Sequence, residues 1–405
     1  MAKILLISHC LGCTGAPASL LRHATYFKEA GHDVDIWSLG SGSLSEEYQK
    51  DGFTPKFITP LDCLKIKKHS YDLIVCNTTG THKCVQIIKK KKIPLVWFIR
   101  ETKLVNENIA NSKKFADCFS TYYNLYTVSE YAANVTKKYN PNVRVISNSV
   151  QDKFKSFTDI GDNLRFGYIG SIIHVKGVEV LLKAFSNLLD NGKNVSLKIA
   201  GHIDDNAKEL YRTYSKYSQI EWLGEVRDAQ KENFFDGIDV LVVPSLDEPF
   251  GLTLLEGCMK GKIVITTDKV GSNHFVVNNK SGFIVEAGNE DAIYIAIEEI
   301  LQKKKDELSA MQSLSREQYL KYGRPQREKE EVLKMLADNM NNIPPYKVDA
   351  EYICLSLKSM LKNMFYERRE NCKRYFIFGI PVFSVKKDGK NKEIKIFGIK
   401  ISCKK

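Results

Sequence analysis

The sequence predicts two α/β domains, each built on a doubly wound parallel sheet. Short apolar runs alternate with helical patterns along residues 1–325. This alternation is typical of parallel strands covered by helices on both faces. A polar stretch at residues 151–162 interrupts the series once. The sequence therefore predicts a first domain over residues 1–155 and a second over residues 156–325, with a ligand cleft between them.

The elements of the first half follow from its apolar runs and from its glycine and proline residues. A Gly-rich turn from Gly12 to Gly15 follows the first run. A helix is predicted over residues 17–30, because Pro17 suits a first helical turn and Gly31 is placed to end it. Strands are predicted at residues 3–8, 33–39, 72–76, 95–99, 125–128 and 143–146.

The second half repeats the pattern. A helix is predicted over residues 178–190, where apolar side chains recur on one face and Gly192 stops the series. The strongest strand signal is the run at residues 238–243, where Asp239 is the single polar residue. Near-continuous apolar runs are typical of parallel strands buried on both faces. Further strands are predicted at residues 164–169, 195–200, 263–266 and 283–285.

A strand-to-helix turn follows the run at 238–243. The run breaks at Pro244, passes through an acidic turn and re-enters order at Gly251, after which Leu252, Leu255 and Met259 recur at helical spacing. Open α/β sheets bind ligands at the carboxyl ends of their strands. Residues 247–253 are therefore the predicted centre of a binding site.

Composition indicates an ordinary globular protein, with 43% hydrophobic and 27% charged residues. We expect a cytoplasmic protein, because no apolar segment approaches the ~18–20 residues of a membrane-spanning helix and the first apolar run is too short for a signal peptide. Of the ten cysteines, Cys10 and Cys13 have C-x-x-C spacing, but no second pair or histidine cluster completes a zinc site. We therefore expect reduced cysteines and no metal site.

The basic charge is concentrated in the last 60 residues. From Lys347 to Lys405 there are 15 Lys or Arg and 6 Asp or Glu, a net charge of +9 out of +12 for the chain. An apolar stripe over residues 353–364 precedes two similar segments, residues 374–386 and 393–404, that share Phe-Gly-Ile. Two interpretations stay open for residues 346–405: a basic amphipathic and β-repeat tail on an anionic membrane surface, or a small β-appendage with solvated charges. Residues 326–345 are predicted to be a helical linker returning to the body.

Several short motifs stand in a fixed order along residues 1–325. They are Gly15-Ala-Pro, Val128-Ser-Glu-Tyr131, Ile146-Ser-Asn-Ser-Val150, Tyr168-Ile-Gly-Ser171, Lys176-Gly177, Glu248 with Glu256 eight positions later, Gly271 and Asn279-Lys-Ser-Gly-Phe283. In this order and spacing the chain resembles the family-4 retaining glycosyltransferases. The resemblance implies the GT-B architecture, two Rossmann-like domains that face each other across a cleft.

The resemblance also implies roles for residues of the second domain. Lys176 matches the lysine that contacts the donor diphosphate, and the amides of Phe250, Gly251 and Leu252 at a helix start suit a phosphate. Glu256 matches the glutamate that accepts from ribose hydroxyls; a solvated helix glutamate is the alternative. Glu248 matches the glutamate beside the sugar ring, either stabilising an oxocarbenium-like transition state or binding sugar hydroxyls.

The sequence departs from the family pattern in three places, one of which is the turn Asn148-Ser-Val150, where the family usually has Asn-Gly-Val. Ser171 stands where the family has an arginine, and His174 or Arg227 is the candidate to replace that cation. Arg100 and Glu101 stand where the family often has a histidine. Arg100 is a candidate to clamp a phosphate or an acidic acceptor, and Glu101 to orient an acceptor hydroxyl; pairing of the two with each other is the alternative.

These matches define two sets of candidate residues. The candidate catalytic residues are Glu248, Lys176, Arg100 and Glu101. The candidate donor-binding residues are Gly15, Gly170, Ser171, Lys176, Arg227, Glu248, Phe250, Gly251, Leu252 and Glu256.

The expected activity is the retaining, metal-independent transfer of a hexose-type sugar to a glycan or lipid-linked acceptor in lipopolysaccharide or capsule synthesis. The donor substrate is expected to be a UDP- or GDP-sugar, with no cofactor and no nucleic-acid partner. Peripheral association at the inner face of the membrane is expected if the tail binds lipid. A nucleotide-sugar epimerase with the same fold, or an inactive sugar- or lipid-binding subunit, are the alternatives.

Overall fold

The computed structural model describes residues 1–340 except 123 and 204–206, and the backbone of five strands between residues 365 and 403. The chain forms two compact units, Met1–Pro344 and Pro345–Lys405. The first unit contains both α/β domains.

The first domain alternates strands and helices from its first residues. Its strands are β1 (Lys3–Ser8), β2 (Asp33–Ser38), β3 (Lys56–Phe57), β4 (Leu73–Asn77), β5 (Leu95–Ile99), β6 (Leu125–Thr127) and β7 (Val143–Val145). Its helices are α1 (Gly15–Glu29), α2 (Ser45–Lys50), α3 (His82–Ile88), α4 (Lys103–Asn111), α5 (Lys113–Ser120) and α6 (Glu130–Lys137), with 3-10 turns at Pro60–Lys65, Thr79–Thr81 and Lys89–Lys91.

The strands of this domain form one parallel sheet in the order β3-β2-β1-β4-β5-β6-β7. The strand order reverses between β1 and β4, so the loops after these two strands leave the sheet in a crevice at its carboxyl edge. The loop after β1 is the Gly-rich turn that precedes α1. Strands β4 and β5 are buried at every position, as their unbroken apolar sequences predict.

The second domain repeats this plan. Its strands are β8 (Arg165–Ile169), β9 (Ser196–Ala200), β10 (Ile220–Gly224), β11 (Val240–Val243), β12 (Ile263–Thr267) and β13 (Gly282–Val285). Its helices are α7 (Val178–Asp190), α8 (Lys208–Tyr214), α9 (Asp228–Asp236), α10 (Leu252–Met259), α11 (Glu290–Leu301) and α12 (Lys305–Tyr322), with 3-10 turns at His174–Lys176 and Asn273–Phe275. A last helix, α13 (Pro325–Asn339), comes after this domain.

The second sheet is also parallel, in the order β10-β9-β8-β11-β12-β13. Its order reverses between β8 and β11, so the loops after these two strands form the second crevice. Asp239, directly before β11, is fully buried. Its carboxylate accepts from the Arg165 backbone amide at 3.0 Å and from the guanidinium at 2.7 and 3.0 Å, so a polar residue at the start of an apolar strand is satisfied.

The two domains share part of their apolar core. One buried cluster contains Phe98 from β5, Leu254 and Leu255 from α10, and Val332 and Leu336 from α13. Helix α13 follows the second domain in the chain but packs against α1 of the first. Among the described residues, no helix is both long and apolar enough to cross a membrane.

The second unit is described by its backbone. Strands β14 (Phe365–Arg369), β15 (Cys372–Ile377), β16 (Ile380–Asp388), β17 (Asn391–Ile396) and β18 (Ile399–Cys403) form an antiparallel sheet in chain order. Each copy of the predicted repeat spans two of these strands, β15 with β16 and β17 with β18. The predicted apolar stripe at residues 353–364 lies outside the described residues.

Candidate active site

A cavity of about 590 Å³ lies where the carboxyl ends of the two sheets face each other. Its volume is in the range of pockets that hold small-molecule ligands. It is lined by Cys13, Thr14, Gly15, Ala16, Ala18, Leu44, Arg100, Val128 and Asn148 of the first domain and by Tyr168, Ile169, Gly170, Lys176, Lys231, Val242, Val243, Ser245, Glu248, Pro249, Phe250, Gly251, Leu252, Thr253 and Glu256 of the second.

The loop after β11 forms one wall of the cavity. Gly251 caps the start of α10 with φ of 92°, a left-handed conformation that favours glycine. A Cβ at this position would lie 2.9 Å from Val270 Cγ1. Because the first amides of a helix have no acceptor within the helix, the backbone from Phe250 to Leu252 presents N–H groups and the positive end of the α10 dipole. This wall is suited to an anion.

Lys176 approaches the same loop from the turn after β8. Its 3-10 turn ends at Gly177, which has φ of 67°, and a Cβ there would overlap the carbonyl oxygen of Pro244. The amide of Leu246 donates to the carbonyl of Val175 at 2.8 Å, which joins the two loops. The Lys176 ammonium forms an ion pair with the Glu248 carboxylate. A cation and an anion therefore stand together beside the start of α10.

A second ion pair lies deeper along α10. Lys231 Nζ on α9 donates to Glu256 Oε1 at 2.6 Å, and both side chains are partly exposed to the cavity. Glu256 is therefore not a freely solvated helix glutamate. The sequence interpretation did not include Lys231, which lies one helical turn after the predicted Arg227.

Three residues that the sequence suggested for donor binding, or as a substitute for the missing phosphate-binding arginine, do not line the cavity. Arg227 precedes α9 and donates to Glu225 Oε1 at 2.9 and 2.6 Å, with 64% of its side chain exposed. His174 lies 2.7 Å from Glu179 Oε1 and is exposed. Ser171 is exposed, and its carbonyl oxygen accepts from the Tyr168 hydroxyl at 2.7 Å. Lys231 lines the cavity, whereas Arg227, His174 and Ser171 do not.

Arg100 lies at the end of β5 and forms part of the opposite wall. Its Nε donates to Asn77 Oδ1 at 2.6 Å and its Nη1 to Asn148 Oδ1 at 3.0 Å, while the guanidinium stacks 4.2 Å from the centre of the Phe98 ring. The residue is 8% exposed. Burial lowers the pKa of Arg100 to about 9, so the group remains a cation at neutral pH.

Glu101 points away from the cavity. Its carboxylate accepts from the Thr79 amide at 3.0 and 3.2 Å, from the Thr79 hydroxyl at 3.0 Å and from the Arg100 backbone amide at 2.9 Å. Burial raises the pKa of this carboxyl despite these hydrogen bonds. The Arg100 guanidinium is therefore not paired with Glu101, and the carboxylate holds the loop after β4 in place.

Contacts between the domains meet at the acidic turn next to Glu248. Asp247 accepts from the Thr102 hydroxyl, from the Lys103 amide at 3.2 Å and from the Tyr131 hydroxyl at 2.7 Å. The Ser129 hydroxyl donates to the carbonyl of Pro249 at 2.6 Å. Residues on both sides of Glu248 are thus held by side chains of the first domain.

Sequence reasoning missed Lys231, the two asparagines on Arg100 and the role of Asp247. No local sequence pattern could have indicated these contacts, because each residue lies at least 23 positions along the chain from its hydrogen-bond partner. Cys10 and Cys13 are free thiols. Among the described residues, no group of three His, Cys, Asp or Glu side chains is arranged to hold a metal ion.

Comparison with known proteins relates part of the chain, which contains the second-domain wall of the cavity, to one family. Residues 150–318 match the model of the glycosyl transferases group 1 family. The capsular polysaccharide biosynthesis glycosyltransferase CapM of Staphylococcus aureus is 30% identical over 160 residues, which are 38% of this chain and 40% of CapM. An uncharacterized glycosyltransferase of Methanocaldococcus jannaschii is 24% identical over 337 residues, 71% of this chain and 84% of that protein. The chain thus spans less than half the length of CapM.

Solved structures share the fold over most of the chain. Anabaena HepE in complex with UDP superposes with a TM-score of 0.74 at 17% identity, covering 83% of this chain and all of that one. WaaG, a glycosyltransferase involved in lipopolysaccharide biosynthesis, superposes with a TM-score of 0.62 at 15% identity, over 81% of this chain and 99% of that one. The GT-B fold and the resemblance to glycosyltransferases of bacterial surface polysaccharides are confirmed.

Proposed function

We propose that this protein is a retaining glycosyltransferase that moves a hexose-type sugar from a nucleotide-diphosphate sugar to a glycan or lipid-linked acceptor in cell-surface polysaccharide synthesis. The observation that carries the proposal is the Lys176–Glu248 pair at the start of α10, inside a cleft between two Rossmann-like domains. The group 1 match over residues 150–318 covers this pair. Lys176 and Glu248, to which we assign the chemistry, therefore both lie in the matched part of the chain.

The donor is a nucleotide-diphosphate sugar, with UDP and GDP as candidate carriers. Its diphosphate binds between Lys176 and the amides of residues 250–252, where a cation and a helix N-terminus both attract negative charge. Glu256, one turn into α10, binds the ribose hydroxyls, and Lys231 orients its carboxylate. Gly15 and Gly170 allow the backbone of each domain to approach the ligand.

Transfer proceeds at the sugar carbon that carries the diphosphate. The acceptor hydroxyl attacks that carbon from the face of the departing diphosphate, the carbon–oxygen bond to the diphosphate breaks, and the hydroxyl proton passes to a diphosphate oxygen. The products are the new glycoside, with the anomeric configuration retained, and the nucleoside diphosphate. Lys176 and the α10 amides stabilise the charge that develops on the leaving group, which is the largest electrostatic demand of the reaction. Protein cations supply this stabilisation in the proposal, which makes the transfer metal-independent.

Glu248 is placed to act on the sugar. It belongs to the loop that lines the cavity, and its pairing with Lys176 fixes the carboxylate next to the phosphate site. A carboxylate there either stabilises positive charge on the sugar ring or accepts from its hydroxyls. Both roles require the two carboxylate oxygens of Glu248 in the position where the Lys176 ion pair holds them.

A screen of nucleotide-sugars by thermal unfolding tests donor binding directly. A ligand at 100 times its dissociation constant adds about 2.7 kcal/mol to the free energy of unfolding. We expect stabilisation by one nucleoside diphosphate and its sugars. Donor consumption without any acceptor would favour an epimerase, and a complete absence of nucleotide binding would favour an inactive binding subunit.

Glu248→Gln tests the assignment of the carboxylate. We expect about a 10²–10³-fold loss of transfer rate, as is typical when one electrostatic group of an active site is removed. Glu209→Gln, on the exposed face of α8, is the matched control and should leave the rate unchanged. A Glu248→Gln protein as active as wild type would remove Glu248 from the mechanism.

We also propose that the basic carboxyl-terminal unit binds anionic lipid at the inner face of the membrane, near a lipid-linked acceptor. Its net charge of +9 supports this, since each Lys or Arg near an anionic surface contributes on the order of 1 kcal/mol. Removal of residues 346–405 should abolish sedimentation with anionic liposomes. Unchanged sedimentation would discard the membrane proposal while leaving the transferase proposal intact.

A further inference from the structure

The Arg100 guanidinium is a buried cation whose protein hydrogen bonds all go to neutral groups. Asn77 Oδ1 accepts from Nε and Asn148 Oδ1 accepts from Nη1. The third nitrogen, Nη2, is buried and has no hydrogen-bond partner among the residues that the structure describes. An arginine presents two N–H groups at Nη2, so two strong donors are left unfilled in a residue that is 92% buried.

The carboxylates nearest to Arg100 are already engaged. Glu101 is occupied by Thr79 and by the Arg100 backbone amide. Glu328 accepts from Arg22, His23 and Ser149. Within the described parts of residues 1–340, the Arg100 guanidinium has no ion pair. Burying a charge without a counterion is costly, and an unfilled buried donor adds to that cost.

The residue that carries these unfilled donors is one of those that line the cavity of the proposed donor site. Arg100 lines this cavity together with Lys176 and Glu248. Thr102, two residues after Arg100, is hydrogen-bonded to Asp247, which directly precedes Glu248. The guanidinium therefore stands on the first-domain wall near the Glu248 turn, whereas the phosphate-binding groups stand on the second-domain wall.

The surroundings of Arg100 also fix the chemistry that it selects. Two amide oxygens and the face of Phe98 hold the guanidinium plane without neutralising its charge. A planar, oriented guanidinium without an ion pair matches the geometry of a carboxylate better than that of a neutral hydroxyl. A neutral sugar would leave the charge buried and unpaired.

We propose that the donor sugar is acidic, and that Arg100 binds the carboxylate of a uronic acid in this cavity. This inference rests on the proposed function, because it assumes a nucleotide-sugar in the cleft. It deepens that function by naming the class of sugar. Arg100 is then a specificity-determining residue whose unfilled N–H groups are completed by the substrate.

Calorimetric titration of the full-length protein with matched pairs of nucleotide-sugars tests the inference. Three matched pairs are used: UDP-glucose with UDP-glucuronate, UDP-galactose with UDP-galacturonate, and GDP-mannose with GDP-mannuronate. Free UDP and free GDP are titrated as references. We expect one uronate to bind about 10–100-fold more tightly than its neutral counterpart, as a charge-assisted hydrogen bond provides. This comparison needs only the wild-type protein, so it does not depend on the folding of a variant.

The Arg100→Gln protein tests whether Arg100 causes the preference for the uronate over its neutral counterpart. We expect it to lose the preference for the uronate while its affinity for the free nucleoside diphosphate stays within about threefold of wild type. Arg144→Gln, which removes a guanidinium bonded to the Tyr126 hydroxyl outside the cavity, is the control and should keep the preference.

Three results would overturn the inference. Equal affinity for every uronate and its neutral counterpart would show that no carboxylate is recognised. An equal loss of nucleoside diphosphate and uronate affinity in Arg100→Gln would assign the guanidinium to the diphosphate. Wild-type protein that binds no nucleotide at all would overturn the proposed function itself, which distinguishes that failure from the first two.

Discussion

The Thr102 hydroxyl lies 2.7 and 2.6 Å from the two carboxylate oxygens of Asp247, so a side chain of the first domain holds the residue immediately before Glu248. Tyr131 of the same domain donates to the same carboxylate. The position of Glu248 in the second domain thus depends on contacts made by the first. The contact between the two domains and the placement of this glutamate are therefore coupled.

Loss of these contacts should reduce turnover. In Thr102→Val combined with Tyr131→Phe, Asp247 loses two hydroxyl donors, and hydrogen bonds to a charged group contribute about 1.5–3 kcal/mol each. We expect kcat/KM for the donor found by the screen to fall at least tenfold. Thr213→Val, on the exposed face of α8, is the matched control. Kinetics equal to wild type would show that Glu248 is positioned by its own domain.

Lys231 should supply the cation that the family places at the position of Ser171. Its ammonium lies 2.6 Å from Glu256 on the cavity wall. We expect Lys231→Met to weaken nucleoside diphosphate binding about tenfold by calorimetry, because a charge-assisted hydrogen bond is lost. Lys183→Met on α7, where the lysine is exposed, should bind normally.

The same assignment predicts a rescue. Adding Ser171→Arg to Lys231→Met should restore part of the lost affinity, since an arginine at position 171 would stand at the family's usual place. Unchanged nucleoside diphosphate affinity in Lys231→Met, or no gain in affinity in the double variant, would contradict the proposal that Lys231 takes the place of an arginine at position 171.

Stability should fall as the pH falls from about 7 to 4. Burial lowers the pKa of His23 to about 4 despite its hydrogen bond to Glu328. Burial acts to raise the pKa of Glu328, but Arg22 and the hydrogen bonds from His23 and Ser149 outweigh it and hold that pKa well below its usual range. The unfolded chain takes up a proton at His23 below about pH 6.5 and at Glu328 near the lower end of this window, while the folded chain does not, so acid favours unfolding.

Denaturant unfolding at a series of pH values measures this effect. A proton bound only by the unfolded chain changes the free energy of unfolding by about 1.4 kcal/mol per pH unit. His23→Gln should reduce the slope between about pH 6.5 and 4, where unfolded His23 titrates and folded His23 stays neutral. Desolvation also lowers the pKa values of His9, His82 and His274, so these residues keep the remainder of the slope. His202→Gln, at an exposed position, should keep the wild-type slope. The same slope in wild type and His23→Gln would contradict the assignment.

Gly271 is placed where the two domains touch. A Cβ at this position would overlap the carbonyl oxygen of Pro249 and the hydroxyl of Ser129. We expect Gly271→Ala to lower the free energy of unfolding by about 1–3 kcal/mol, as is typical of overpacking, and to weaken donor binding by displacing the Glu248 loop. Gly161→Ala, where a Cβ would meet no atom within 4 Å, should be neutral in both measurements. Normal stability and binding in Gly271→Ala would show that the contact relaxes freely.

The buried parts of the fold were predictable from sequence because their patterns are local. The runs at residues 95–99 and 178–190 became β5 and α7 with the predicted bounds. Strand β3 was missed because it has two residues, both exposed, and so carries no apolar period. Strand β10 was missed because only Ile220 of its five residues is buried.

The candidate site was predictable where a motif marks a backbone turn. Lys176, Glu248 and Gly251 all line the cavity, as their positions next to strand ends indicate. The partners of these residues were not predictable, because a charged side chain in a sequence carries no sign of what it will meet. Glu328 illustrates this: it lies in a highly charged segment typical of a solvated helix, yet it is fully buried.

The place of Glu328 on α13 means that the first domain is not a continuous piece of the gene. Its carboxylate accepts from the guanidinium of Arg22, the imidazole of His23 and the amide of Ser149, while Val332 fills the apolar core beside α1. A fragment ending near residue 155 would leave these three donors without their common acceptor and an apolar face open to water. Residues 1–155 alone should therefore aggregate, and adding a peptide of residues 325–340 in trans should recover a soluble complex. Exchange of the amino-terminal half between relatives has to carry α13 with it.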